Sequence, residues 1–261
     1  MNVSLPFIPE RPAKPRTEGL TMMMDKGLSL KEAEEFIESS GEFTDFVKFG
    51  FGTSVITNKL EEKVKLYKSA NIRPYFGGTL FEAFVIRNMF DDYQRFIDKF
   101  DLDLAEVSDG TMIIEHDDKL DYIRKLTDSV TVLSEVGSKI KGVHIEPNDW
   151  VNMMKAELEA GSFKVIAESR ESGTIGIYNS DGSVNENLIN TITTQLNNSD
   201  IIWEAPNGKQ QVWFVKLFGA NVNLGNIAPN IVVPLECLRL GLRGDTFFDS
   251  LPNEMQDLKQ L

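Results

Sequence analysis

The chain of 261 residues has one cysteine, two histidines and no long apolar run. Cys237 has no partner for an internal disulfide. Its apolar setting (Leu235, Leu238, Leu240) predicts a buried residue in a reducing compartment. His116, His144 and one cysteine are too few to favour a zinc site of the histidine–cysteine type. No segment approaches the roughly 18 apolar residues of a membrane span. Residues 1–16 carry Pro6, Pro9, Pro12 and Pro15 among basic residues, without the apolar centre of a secretory signal. Basic charge is also short: 27 Lys and Arg face 40 Asp and Glu, a net charge of −13. Such a surface repels nucleic-acid phosphates and anionic membranes, so neither is an expected partner. These deficits predict a cytoplasmic, soluble protein.

What the chain does have is alternation. Short apolar runs at Leu20–Met24, Phe43–Phe49, Ile72–Phe76, Leu104–Val107, Val130–Val136, Lys164–Ala167, Ile201–Trp203 and Val222–Leu224 read as buried strands. Helical patterns separate them. Ser29 with Glu32 forms a capping box that starts a helix running to about Ser40. A long amphipathic helix is expected from Gly78 to about Phe100, and a last one over Val233–Leu242. The polar residues at the strand ends are Asp25, Lys48, Gly77, Glu106, Glu135, Glu168, Glu204 and Asn223. Most follow one another at roughly 30 residues, the length of a βα unit. Eight units predict an α/β protein, a single-domain (β/α)8 TIM barrel over residues 17–250. An extended arm (1–16) precedes it and a tail (251–261) follows. An open doubly wound sheet is disfavoured, because no glycine-rich turn follows the first strand.

In a barrel the C-terminal strand ends share one face, and chemistry gathers there. Six of these ends are charged. Several carboxylates at one mouth repel one another unless a cation neutralises them or basic residues pair with them. An all-oxygen set suits Mg2+. Glu106, Glu135 and Glu168 lie on successive strands and can converge on one ion. Lys48, inside an apolar strand, is either a general acid–base residue or an ion-pair partner of Glu106 or Asp25. Gly77 and Gly78 let backbone N–H groups approach an anion at a helix start. Asn223, Gly225 and Asn226 lie where barrels bind phosphate. Arg170 stands just beyond Glu168, where an anion would meet it, and Arg243 follows the last helix.

Longer motifs run through this frame. They include Gly19-Leu20-Thr21 with Asp25-Lys26-Gly27-Leu28, Asp45-Phe46-Val47-Lys48-Phe49-Gly50, and Gly77-Gly78-Thr79-Leu80-Phe81-Glu82. Glu106 with Ser108-Asp109-Gly110 and Glu135-Val136-Gly137 follow. Then come Glu168 with Arg170-Glu171-Ser172-Gly173, Glu204-Ala205-Pro206, Gln210-Gln211, Asn223-Leu224 and the stretch Arg239–Thr246. Together they resemble the phosphosulfolactate synthase family of coenzyme M biosynthesis. The resemblance implies a (β/α)8 barrel and a Mg2+-dependent addition of sulfite to phosphoenolpyruvate, giving (2R)-2-phospho-3-sulfolactate. It implies Lys48 as proton donor with Glu204 as a second catalytic group. Glu106, Glu135 and Glu168 are then metal ligands, and Asp25, Lys26, Gly77, Gly78, Arg170, Asn223 and Arg243 bind substrate. Small anionic substrates and a homo-oligomer are the expected partners. Residues 138–147 and those after 247 depart from the pattern, and Ser169 stands where glycine is expected. The family also has plant relatives tied to heat stress. A non-catalytic protein on the same barrel, or a lyase using another nucleophile, is therefore the alternative.

Overall fold

The computed structural model describes residues 2–138, 145–170 and 172–260, so His144 and Glu171 lie outside the described residues. Eight strands follow one another along the chain: β1 (Thr21–Asp25), β2 (Phe46–Phe49), β3 (Arg73–Phe76), β4 (Leu104–Val107), β5 (Thr131–Val136), β6 (Lys164–Ala167), β7 (Ile201–Glu204) and β8 (Leu224–Ile227). They form one parallel sheet in the order β3-β2-β1-β8-β7-β6-β5-β4. The β1–β8 pairing curls the sheet into a nearly closed TIM barrel. Its outer helices are α1 (Leu30–Ser40), α2 (Leu60–Ser69), α3 (Gly78–Val85), α4 (Phe90–Lys99), α5 (His116–Thr127), α6 (Pro147–Glu159), α7 (Glu186–Thr193), α8 (Gly208–Phe218) and α9 (Val232–Arg239). A short α10 (Asn253–Gln256) lies in the tail. The expected capping box forms, with Glu32 N donating to Ser29 Oγ and Ser29 N to Glu32 Oε2.

Two expectations are corrected. The segment from Gly78 to Phe100 is two helices, broken where Asn88 takes a left-handed backbone (φ 55°) that an α-helix cannot continue through. The last strand is Leu224–Ile227, not Val222–Leu224, so Asn223 precedes it.

Alternation along each strand builds the interior. A buried plug of Leu20, Met22, Phe46, Tyr75, Leu104, Leu133, Ile166 and Ile202 fills the lower barrel. A second, larger core lies between the strands and the helices, with residues such as Val47, Val107, Val136 and Trp203. Side chains on a strand repeat direction every second residue. Two residues on from Phe46, Leu104, Leu133, Ile166 and Ile202 stand Lys48, Glu106, Glu135, Glu168 and Glu204. The charged layer therefore sits on an apolar floor, inside the barrel.

Among the described residues no ladder joins β3 to β4. Side chains close that seam. Near the mouth, Gly78 N donates to Glu106 Oε1 at 2.6 Å. At the lower end, Arg73 donates to Asp103 Oδ2 and to Asp103 O, each at 2.9 Å. The N-terminal arm covers the lower end as well. Arg11 pairs with Glu236 at 2.9 Å and donates to Gly19 O, while Arg16 pairs with Asp45 at 2.8 Å.

Candidate active site

Lys48 is the hub of the charged layer. Its Nζ lies 2.9 Å from Glu106 Oε1, 3.1 Å from Glu135 Oε2 and 3.5 Å from Glu204 Oε1. Burial alone would depress this ammonium. The Glu106, Glu135 and Glu204 carboxylates outweigh it and hold the pKa well above the ordinary lysine value. Beneath it, burial and then Glu106 push the Tyr75 hydroxyl far up, so it stays neutral.

Glu135, Glu168 and Glu204 each present an oxygen within 4.8 Å of the other two. All three are buried. Backbone shapes this triad. Ser169 N donates to Glu204 Oε2 at 2.9 Å and fixes one carboxylate oxygen. Gly137 has φ 134°, and a Cβ there would lie 2.5 Å from Glu168 Cβ. Glycine at 137 is what lets Glu168 stand beside β5.

The triad and Lys48 open into a cavity of about 480 Å3. Its walls add hydroxyls from Thr79, Thr111, Ser169 and Ser172, the Arg170 side chain and the Asn226 amide. Asn226 arrives there through a bulge. Thr21 faces Leu224 while Met23 faces Ile227, so β8 carries one extra residue. Asn226 takes the left-handed conformation (φ 59°), and its Nδ2 donates to Ser169 O at 3.3 Å.

Among the described residues, the buried Lys48 ammonium meets three of the four buried carboxylates of this layer, Glu106, Glu135 and Glu204. The three converging ones, Glu135, Glu168 and Glu204, are hard oxygen donors without a histidine or thiolate among them. That donor set fits a divalent cation of the Mg2+ class.

Several expected site residues lie elsewhere. Glu106 faces Lys48 and the α3 N-terminus rather than the triad, whose third member is Glu204. The Gly78 N–H is thereby engaged by a protein carboxylate. Gly78 also lets β3 approach β4: a Cβ there would lie 2.2 Å from Ser108 Oγ. A Cβ on Gly77 would lie 3.1 Å from Lys48 Cε. Both glycines serve packing behind Lys48. The Asp25 carboxylate is buried and spent on the turn after β1. It accepts from Gly27 N and Leu28 N at 2.8 Å each and from Tyr67 at 2.9 Å, and pairs with Lys63 at 2.6 Å. Lys26 is exposed beside it and does not line the cavity. Asn223 sits at the opposite end of the barrel. Its Nδ2 donates to Ser199 O and Ile201 O, and its Oδ1 accepts from Leu20 N. Arg243 follows α9, which descends from the mouth until Arg239 donates to Leu20 O and Val222 O at the strand starts. Arg243 therefore lies at the lower end, paired with Asp245 at 3.1 Å.

This barrel and its charged mouth can be set beside known proteins. The family model described as (2R)-phospho-3-sulfolactate synthase (ComA) matches residues 9–245. The chain is 41% identical over 244 residues to the phosphosulfolactate synthase of Methanothermobacter thermautotrophicus, covering 91% of this chain and 95% of that protein. The chain belongs to the phosphosulfolactate synthase family. As an enzyme of that family it is also 40% identical to the Bacillus subtilis phosphosulfolactate synthase, over 92% of this chain and 97% of that one. A solved 3-hexulose-6-phosphate synthase from Salmonella typhimurium superposes with a TM-score of 0.55 at 14% identity, covering 86% of this chain and 100% of that chain. That likeness concerns the barrel fold.

Of the other residues lining this phosphosulfolactate synthase-type mouth, Thr111 and Phe51 lie in loops and were absent from the expected site, because a lone hydroxyl or aromatic side chain in a loop carries no periodic signal. Thr79, Ser169 and Ser172 stood in or beside the motifs without an expected role.

Proposed function

We propose that this chain catalyses the Mg2+-dependent addition of sulfite to phosphoenolpyruvate, giving (2R)-2-phospho-3-sulfolactate. The observation that carries the reading is the buried triad of Glu135, Glu168 and Glu204 beside the Lys48 ammonium, in the mouth of a barrel of this family. The sulfite sulfur bonds to the substrate methylene carbon. The alkene electron pair moves toward the carboxylate, and a proton then closes the adjacent phosphate-bearing carbon. No group leaves. Glu135, Glu168 and Glu204 would hold Mg2+, which when bound supplies positive charge against the dianion that builds on the substrate carboxylate.

The chain's own residues do the rest. Lys48 Nζ carries a proton at the floor of the cavity and is the acid for the carbon. Glu106 keeps that ammonium in place from the side away from the triad. Arg170 at the rim and the hydroxyls of Thr79, Thr111 and Ser169 orient the phosphate and sulfite oxygens. The apolar plug below Lys48 excludes water from one side of the reacting carbons.

The test is incubation of the protein with phosphoenolpyruvate, sulfite and Mg2+, following loss of the enol absorbance and appearance of the sulfonate by mass spectrometry. Turnover should require all three components. No turnover would overturn the reading, and turnover without sulfite would point to a lyase with another nucleophile.

A further inference from the structure

Behind Glu135, outside the barrel, a second buried charge cluster plays no part in the chemistry above. Lys119 on α5 is 1% exposed. Its Nζ donates to Glu135 O at 2.6 Å and lies 2.8 Å from Asp109 Oδ1 and 2.8 Å from Glu157 Oε1. An ammonium has three N–H donors and no acceptor, so these three partners saturate it. They come from three different places: the end of β5, the loop after β4 and the inner face of α6. Glu157 is fully buried. Its Oε1 also meets His116 Nε2 at 3.3 Å, and its Oε2 has no hydrogen-bond partner.

Such a cluster is a poor way to stabilise a fold. Buried ion pairs are often neutral or unfavourable compared with apolar residues of similar volume. What it provides is placement. Glu135 lies one residue beyond the last β4–β5 pairing, Val107 with Ser134. Beyond that ladder its carbonyl accepts the Lys119 ammonium, while its carboxylate, on the other side of the strand, reaches Lys48 and the triad. The same ammonium holds Asp109, two residues before Thr111 in the cavity wall.

We propose that Lys119 is a positioning residue: by gripping the Glu135 carbonyl and Asp109 together, it sets the aim of the Glu135 carboxylate into the cation site. This rests on the Mg2+ reading of the triad. Partners that orient metal ligands from behind typically change metal affinity or activity by 10–100-fold.

The test pairs Lys119→Met/Glu157→Leu with Lys119→Arg. Mg2+ half-saturation is read from the Mg2+-dependent rise in melting temperature, and kcat and KM are measured separately. The double variant removes the Lys119–Glu157 pair while keeping volume, and leaves Asp109 and the Glu135 carbonyl without the ammonium. It should fold with a lowered melting temperature, need about 10-fold more Mg2+ and show a reduced kcat. Lys119→Arg keeps the ion pairs but cannot place one compact ammonium on all three acceptors. It should fold and shift Mg2+ half-saturation the same way. Wild-type Mg2+ dependence in either folded variant overturns the proposal, and so does a double variant that fails to fold. A wild type that binds Mg2+ but does not turn over counts against the sulfite reaction alone. One that does not bind Mg2+ overturns the positioning role too.

Discussion

Replacing Lys48 with methionine tests the electrostatics of the mouth most directly. The substitution keeps the stem's bulk and removes the ammonium that lies 2.9 to 3.5 Å from Glu106, Glu135 and Glu204. Those three carboxylates then lose one buried countercharge. Breaking a buried ion pair by removing one partner costs about 3–5 kcal/mol. In a chain of this size that is a fall in melting temperature on the order of 10 °C. The loss should depend on pH with a defined sign. Removing a neighbouring cation disfavours the charged form of a buried carboxylate, so the variant's folded state gains affinity for protons relative to that of the wild type. Relative to the wild type, the variant should therefore lose stability as pH rises above the ordinary glutamate range and regain it on acidification. Mg2+ should restore part of it by supplying the missing positive charge. The assay is thermal melting of both proteins between pH 5 and 8, with and without Mg2+, beside the sulfite-addition assay, in which the variant should be inactive. A variant that melts with the wild type at pH 8, or that loses stability on acidification where the wild type does not, refutes the charge argument.

Two further perturbations separate positions that look alike in the sequence. Glu204→Gln keeps an acceptor for Ser169 N but removes a triad charge, and should weaken Mg2+ binding by about 10-fold in calorimetry. Glu106→Gln should leave Mg2+ affinity closer to wild type, and the reverse ranking would restore Glu106 to the metal site. Arg170→Ala, at the cavity rim, should raise KM for phosphoenolpyruvate about 10-fold with a smaller change in kcat. Arg243→Ala, at the far end of the barrel, should leave both constants unchanged, and a raised KM there would contradict its placement.

Most of the mouth was legible because strands have a period of two and the apolar floor fixes their phase. Leu104, Leu133, Ile166 and Ile202 on the plug oblige Glu106, Glu135, Glu168 and Glu204 to face inward. Periodicity gives the face of a strand but not the aim of a long side chain. Glu106 was expected as a metal ligand and Glu204 as a catalytic group, whereas the Gly78 N–H holds the first beside Lys48 and the Ser169 N–H holds the second in the triad. Asn223 and Asn226 were both marked for the mouth, and of the two Asn226 lines the cavity, for a different reason. The run Val222-Asn223-Leu224-Gly225-Asn226-Ile227 alternates apolar and polar only as far as Gly225, and Gly225-Asn226 breaks the alternation, so its register is not set by pattern. A start shifted by two residues and a one-residue bulge move the site from Asn223 to Asn226. Asp25 misled because a charge at a strand end reads as chemistry, whereas here it ties down the next turn through Gly27, Leu28 and Tyr67.

The β3–β4 seam joins fold and site in one residue. Among the described residues seven seams of the barrel are held by backbone ladders, while this one is bridged near the mouth by two carboxylates: Glu106, accepting from Gly78 N, and Glu82, accepting from Ser108 Oγ and Thr111 N. Glu106 Oε1 accepts the Gly78 N–H across the seam and also lies closest to the Lys48 ammonium. A carboxylate oxygen can accept from two donors, and both are stronger for its charge. Neutralising Glu106 therefore weakens the closure of the barrel and the seat of Lys48 together. One Glu106 oxygen thus serves the Gly78 N–H and the Lys48 ammonium at once. The convergent oxygens that could hold a cation come from the three carboxylates on β5, β6 and β7.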